Sequence, residues 1–351
     1  MQSLRVVTVV VLVVLAGACA SYPKQHTKEE NQQDASFTFP VIGDIPYSDS
    51  DRKVLHEEIV ASIKAGGYPF IIHIGDYKGG GAPCTPEEDE AQLALIETLA
   101  PIPVFYTPGD NEWTDCDRHK DAATGRPASE LARLVRLETL FFTEPVVAPE
   151  EIYVRSLPNA PGNATWDYKG VRFATVHVVG TGNGRREVMG DDPAEAARLA
   201  DKRERDALNW LTVAAAAART ENATALVIAM HADMTDVKAE NLGVACDSAA
   251  ASRQETCDAF VALRAAVRRA ANSFGGPTLL IHGDTAPFTL RQSFAGDEAD
   301  NLWILNAAGD HGVNPLGVPY GVQDATFVSV DPLAAAPFSA KGIATARSAN
   351  D

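Results

Sequence analysis

The 351-residue chain is short of positive charge, with 30 Lys and Arg against 47 Asp and Glu, for a formal net charge of −17. Such a chain supplies no basic stripe to displace the counterions of a nucleic-acid backbone, so no nucleic-acid-binding surface is expected. It can still meet phosphate through bound cations. Cysteine is scarce as well: there are five, and no Cys-x-x-Cys pair occurs, which ranks a zinc cluster low. No Gly-x-Ser-x-Gly elbow and no zinc-protease motif is present, so those hydrolase chemistries have no footing. A repeat at solenoid spacing is missing. The apolar run Val6–Leu15 is too short for a membrane span.

That run instead gives residues 1–20 the proportions of a signal peptide, with Arg5 before it and small residues after it. Two cleavages fit. Ala16-Gly17-Ala18 before Cys19 resembles a bacterial lipoprotein site, which would lipidate Cys19 and tether the chain to a membrane. Ala18-Cys19-Ala20 fits ordinary cleavage before Ser21. Either route implies export, to the periplasm or to a membrane anchor of a bacterium. Residues 21–36 read as a polar linker. With 46% hydrophobic residues the rest can bury a sizeable core. Residues 37–332 are expected to form one domain, and residues 333–351 a loose tail.

Cys84, Cys116, Cys246 and Cys257 suggest two disulfides, for which three pairings exist. Cys84–Cys116 is favoured because both follow strand-end loops on one expected rim. Cys246–Cys257 would then close a short local loop.

Short apolar runs that end on Gly-Asp organise the chain: Phe37 to Asp44, Phe70 to Asp76, Val104 to Asp110 and Thr278 to Asp284. The first three alternate with helical patterns over 49–64 and from Thr85, where Thr, Pro86 and Glu88 mark a helix start. This is βαβ grammar. Further on, the spacing predicts a helix over 128–142, a hairpin over 166–179, a flexible glycine-rich loop over 180–184 and an alanine-rich helix over 193–219. A buried strand over 225–230 ends on His231, the spacing predicts a helix over 255–271, and later strands follow at 302–305 and 326–330. The fold class is α/β.

In layered α/β proteins ligands bind beyond the carboxyl ends of strands, which is where Asp44, Asp76, Asp110, Asn111, His231, His282 and Asp284 fall. Aspartates crowded on one rim repel one another unless a cation neutralises them. The donor set suits manganese, iron or zinc.

The order Asp, Gly-Asp, Gly-x-x-Glu, late His and a final Gly after a strand resembles the calcineurin-like metallophosphoesterases over roughly residues 37–330. Val104 to Cys116, with its Gly109-Asp-Asn-Glu-Trp113, looks like a bacterial exported branch of that family. The resemblance implies a two-sheet β-sandwich flanked by helices. It also implies a metal-dependent hydrolase of phosphomonoesters or phosphodiesters, in which a metal-activated hydroxide attacks phosphorus. Position by position, it makes Asp44, Asp76, Asp110, His231 and Asp284 metal ligands, with Asp76 bridging. Asn111 replaces a histidine that assists the leaving group, a step an amide cannot perform as an acid.

Pro46 and Ala286 stand where the family has two further histidines, both on one metal. One metal is therefore expected to be well held and a second incomplete, unless His282, His73 or His311 substitutes. His73, inside a strand, reads as a core histidine, and His311 as a loop residue. The alternative is a degenerate, non-catalytic member that binds a phosphate ligand or a protein. The expected partner is a small phosphate ester.

Overall fold

A computed structural model describes residues 36–157, 159–249, 251–292, 294 and 299–350. The signal segment, Cys19 and all but the last residue of the linker lie outside the described residues. The chain opens with β1 (Phe37–Ile42) and then α1 (Asp49–Val54), which Ser48 caps by accepting from the Asp51 amide. A π-helical turn, Leu55–Ile59, leads into α2 (Val60–Gly66). There follow β2 (Ile71–His73), α3 (Pro86–Thr98), capped by Thr85, β3 (Val104–Tyr106) and α4 (Glu130–Phe142).

The second half runs β4 (Arg155–Ser156), β5 (Ala164–Tyr168), β6 (Val171–Thr175), α5 (Pro193–Thr220) and β7 (Ala225–Ala229). Next come α6 (Val261–Phe274), β8 (Thr278–His282), β9 (Thr289–Gln292) and β10 (Leu302–Asn306). The last elements are β11 (Gly312–Val313), β12 (Pro319–Tyr320), β13 (Thr326–Val330) and β14 (Phe338–Gly342).

Two mixed sheets form, in the orders β14-β13-β1-β2-β3 and β4-β5-β6-β7-β8-β10-β9. Strands β1, β2 and β3 are parallel, as are β6, β7, β8 and β10. Side-chain alternation along each strand then builds the layers. Val41, Ile72, Val227, Ala229 and Ile281 share a core with aromatic residues of both sheets. Phe105 from β3 stacks on Trp166 from β5, ring centroids 3.5 Å apart. The alternate residues face helices: Ile42 and Ile71 pack with Leu55, Ile59 and Leu95, whereas Leu226, Ile228 and Leu280 pack with Leu211, Leu263 and Val267. The result is a two-sheet α/β sandwich flanked by helices, as the sequence led us to expect.

Three expectations are corrected. The end of the chain is not a loose tail, because β14 pairs antiparallel with β13 from Val330↔Phe338 to Thr326↔Gly342 and closes the edge of the first sheet. Its alternating small and polar residues carry little apolar signal, which hid the strand. The helix expected over 255–271 from the spacing of Phe260, Leu263 and Val267 runs instead from Val261 to Phe274. The glycine-rich stretch 180–184 is a turn in which Thr181, Gly182 and Asn183 all adopt left-handed backbone, and most of it is buried.

Both favoured disulfides form, Cys84–Cys116 and Cys246–Cys257. Two such bonds fit an exported chain. Among the described residues no helix is long and apolar enough to cross a membrane.

Candidate metal centre

Parallel strands send their carboxyl ends to one rim. Asp44, Asp76 and Asp110 follow β1, β2 and β3, while His231 and Asp284 follow β7 and β8 of the other sheet. Asp44, Asp76 and Asp284 hold left-handed backbone with φ of 54°, 54° and 71°. For a non-glycine residue that conformation costs on the order of 1–3 kcal/mol, and such strain collects at functional sites. It swings each carboxylate off its strand and toward the seam between the sheets.

His231 is the hub. Its Nδ1 lies 3.0 Å from the carbonyl oxygen of Ile74, a contact in which the ring N–H donates. Nε2 therefore faces the opposite way, 3.3 Å from Asp110 Oδ1, 3.5 Å from Asp76 Oδ1 and 3.7 Å from Asp284 Oδ1. Two sets of donor atoms gather within 4.8 Å of one another, Asp44 with Asp76 and His231, and Asp110 with His231 and Asp284.

A divalent cation fits this set. Asp44 Oδ2 and His231 Nε2 are buried without a hydrogen-bond partner, a costly state that a cation would relieve. Oxygen and imidazole donors are the chemistry such ions accept. Both sets include His231, whose Nε2 is the nitrogen turned toward the carboxylates.

Electrostatics carry the same message. Burial opposes a charge on His231, yet Asp76, Asp110 and Asp284 hold its pKa well above the ordinary value. Burial also lifts Asp44 to about 6 and Asp76 well above the carboxylate range. Asp284 is raised by burial and by the charge of Asp110. Asp110 stays low in spite of burial, because the nearby His231 and the hydrogen bond from the Thr181 hydroxyl favour its ionised form.

The remaining expected residues sort clearly. Asn111 lies beside Asp76: its backbone amide donates to Oδ1 at 3.0 Å and its side-chain amide to Oδ2 in a short bond. His73 points away from the cluster, accepting from the Gly75 amide on Nδ1 and bonding Gln92 with Nε2, and burial first of all pushes its pKa down to about 3. It is a neutral core histidine. His282 donates from Nδ1 to the Gly283 carbonyl, and His311 turns to Asp51 at 3.6 Å. No such contact brings these three to the carboxylates, so their substitution for missing ligands is not supported.

Glu112, the acid of the Gly-Asp-Asn-Glu run, is a brace. Fully buried, it accepts from the amides of Gly109 at 2.7 Å and Asp76 at 3.0 Å and from the Tyr106 hydroxyl at 2.8 Å. Arg133 grips Asp89 with two bonds and reaches the Glu112 carbonyl at 3.2 Å, and Cys116 pins the same loop to Cys84.

No family model and no curated protein matches the chain. Among solved structures it is similar to one of PhoD, with 14% identity and a TM-score of 0.49 over 90% of this chain and 68% of that one. It is also similar to GAP50, the anchor in the inner membrane complex of Plasmodium, with 11% identity and a TM-score of 0.43 over 89% and 86% of the two chains.

Three residues of the rim escaped the sequence. The Tyr47 hydroxyl lies 2.8 Å from Asp76 Oδ2 and 3.3 Å from Asp44 Oδ1. Thr181 donates to Asp110 Oδ2 at 3.0 Å. Asp310, whose amide donates to the Asp44 carbonyl, has a pKa raised to about 7 by burial and by Asp44. Asp310 left a trace in the Gly309-Asp310 that follows β10, and Tyr47 one as a hydroxyl in the loop that Gly43-Asp44 opens. Gly180 is needed because a Cβ there would fall 2.3 Å from Asp110 Oδ2 and 2.8 Å from Asp284 Oδ2.

Proposed function

We propose that the chain is an exported hydrolase of phosphate esters whose divalent cation is held by Asp76, Asp110, His231 and Asp284, with Asp44 beside them. The carrying observation is His231 Nε2, buried, unpartnered and facing three carboxylate oxygens at 3.3–3.7 Å. The order of motifs, similar to that of the calcineurin-like metallophosphoesterases, supports the same reading.

When bound, manganese, iron or zinc would neutralise the carboxylates, polarise a phosphoryl oxygen and lower the pKa of a water molecule. The chain does the rest. The Ile74 carbonyl fixes the His231 ring, and such outer partners orient a ligand and raise its basicity. Asn111 spends its two side-chain N–H groups on Asp76 Oδ2 and the Tyr47 hydroxyl, and has no proton to give a departing alkoxide near neutral pH. In the hydrolysis, a bond forms from water oxygen to phosphorus as the bond from phosphorus to the leaving oxygen breaks. Protons released by the water go to solvent, and solvent protonates the departing oxygen. Esters with good leaving groups are therefore the preferred class.

The work place is the periplasm, or a membrane surface if Cys19 carries lipid. Pro46 and Ala286, which supply no ligand, favour a second reading in which the centre binds a phosphate ligand without turning it over. Purified protein, manganese, 4-nitrophenyl phosphate and bis(4-nitrophenyl) phosphate separate the two. Turnover that needs bound manganese and disappears in Asp76→Ala supports the hydrolase. Manganese bound without turnover supports the binding module, and no manganese bound refutes both.

A further inference from the structure

Between Asp44 and Asp76, where Pro46 and Ala286 leave the rim without further imidazoles, stands a phenol. Tyr47 Oη is 2.8 Å from Asp76 Oδ2, 3.3 Å from Asp44 Oδ1 and 3.3 Å from Asn111 Nδ2. With a single proton the hydroxyl donates to the nearer Asp76 oxygen and accepts from the Asn111 amide. Its own loop holds it there, since the Tyr47 amide donates to Asp51 Oδ2 at 3.0 Å and Ser48 caps α1. A cation between Asp44 and Asp76 would have to displace this oxygen. His231 offers no second free nitrogen to support one, because Nδ1 is engaged by Ile74.

We propose that the Tyr47 hydroxyl takes the place of a second cation, so that the centre holds one ion and selects singly charged phosphate diesters over doubly charged monoesters. The inference rests on the metal-dependent phosphoesterase reading above. Asp44, Asp76, Asp110 and Asp284 around one divalent ion leave two negative charges, whereas two ions would leave none. A monoester brings twice the charge of a diester into that field, and repulsion scales with the product of charges. Tyr47 and Asn111 add only neutral donors. The hydroxyl can turn its proton from Asp76 to a phosphoryl oxygen, stabilising charge that develops there without attracting a dianion.

Three proteins test this, each with manganese counted by elemental analysis and kcat/KM measured on bis(4-nitrophenyl) phosphate and 4-nitrophenyl phosphate. The wild-type chain binds one manganese and prefers the diester. Tyr47→His supplies an imidazole beside Asp44 and Asp76, so it binds a second manganese and its preference moves toward the monoester. Tyr47→Phe keeps the ring and one manganese but loses roughly 10- to 100-fold in diester kcat/KM, the cost of one hydrogen bond to a charged group. Two manganese ions in the wild type, a monoester preference, or full diester turnover in Tyr47→Phe overturns the proposal while leaving the phosphoesterase reading intact. A wild-type chain that binds no manganese removes both. If Tyr47→His fails to fold, Tyr47→Phe decides alone.

Discussion

The bond between His231 Nδ1 and the Ile74 carbonyl, 3.0 Å long, ties a loop of the second sheet to the end of β2 in the first. It fixes which nitrogen of the ring is free. Nε2 then meets carboxylates that reach the rim from both sheets, so the centre exists only when the two halves of the sandwich are in register.

The first prediction concerns protons. Although burial favours the neutral ring, the surrounding carboxylates raise the His231 pKa well above its usual value, which favours a proton on Nε2 when no cation is bound. A cation must displace that proton, and its affinity therefore rises with pH across the neutral range. Titration calorimetry of manganese binding in buffers of different ionisation enthalpy will show proton release. A binding constant independent of pH from 6 to 8, values chosen to bracket the usual histidine pKa of ~6.5, would remove this assignment.

A cation that binds the folded chain alone also stabilises it. At a free concentration about 100 times the dissociation constant the gain is about 2.7 kcal/mol. Chelation is expected to lower the melting temperature of the wild-type protein and to leave that of His231→Ala unchanged. Equal shifts in the two proteins would place the ion elsewhere.

The rim positions that sequence reading reached share one property: each is a polar residue shortly after a buried parallel strand, so local pattern and place on the rim coincide. Asp44, Asp76, Asp110, His231 and Asp284 are of this kind. Tyr47 touches Asp76 across 29 residues of sequence and Thr181 touches Asp110 across 71, contacts that only chain folding creates. The turn 180–184 was misread for a related reason. Its glycines suggested freedom, whereas the structure uses them to press backbone against carboxylates and to hold left-handed torsions. Strand β14 was missed because an edge strand with alternating polar residues lacks an apolar run.

Behind the centre, Asp89 offers a test of stability and its pH dependence. Its side chain is 1% exposed and bonds Arg133, Arg136 and the Tyr77 hydroxyl. Burial raises its pKa, but the two guanidinium groups prevail and hold it below the ordinary value of 3.8. A carboxylate depressed in the folded state stabilises above its unfolded pKa, and that stability is lost as pH falls through the folded value. Asp89→Asn is expected to cost about 3–5 kcal/mol at neutral pH, because it strands the buried Arg133 charge. The difference from wild type should shrink in acid. Urea titrations at neutral pH and at pH ~3, below that unfolded value, measure both.

The Cys84–Cys116 bond spans 32 residues and anchors the loop that carries Asp110 and Asn111. Loop-closure entropy assigns it about 3–4 kcal/mol. Replacing both cysteines by serine should lower stability by that order and weaken manganese binding, since the loop then orders only on binding. Equal loss in Cys246→Ser with Cys257→Ser, but with manganese binding unchanged, would mark the second bond as purely structural.

Two glycines give the sharpest check on how the carboxylates are placed. A Cβ at Gly109 would fall 2.1 Å from Asp76 Oδ1, and one at Gly180 would fall 2.3 Å from Asp110 Oδ2. Neither clash can be relieved by a flexible side-chain end alone, because both carboxylates are held, Asp76 by Tyr47 and Asn111 and Asp110 by Thr181. Gly109→Ala and Gly180→Ala should therefore cut manganese affinity by roughly 10- to 100-fold, the usual cost of disturbing the support of a ligand. Gly81, with open space around its Cβ position, serves as the control. If Gly81→Ala and Gly180→Ala bind manganese alike, the carboxylates adjust freely and the backbone turn at 180–184 does not position Asp110.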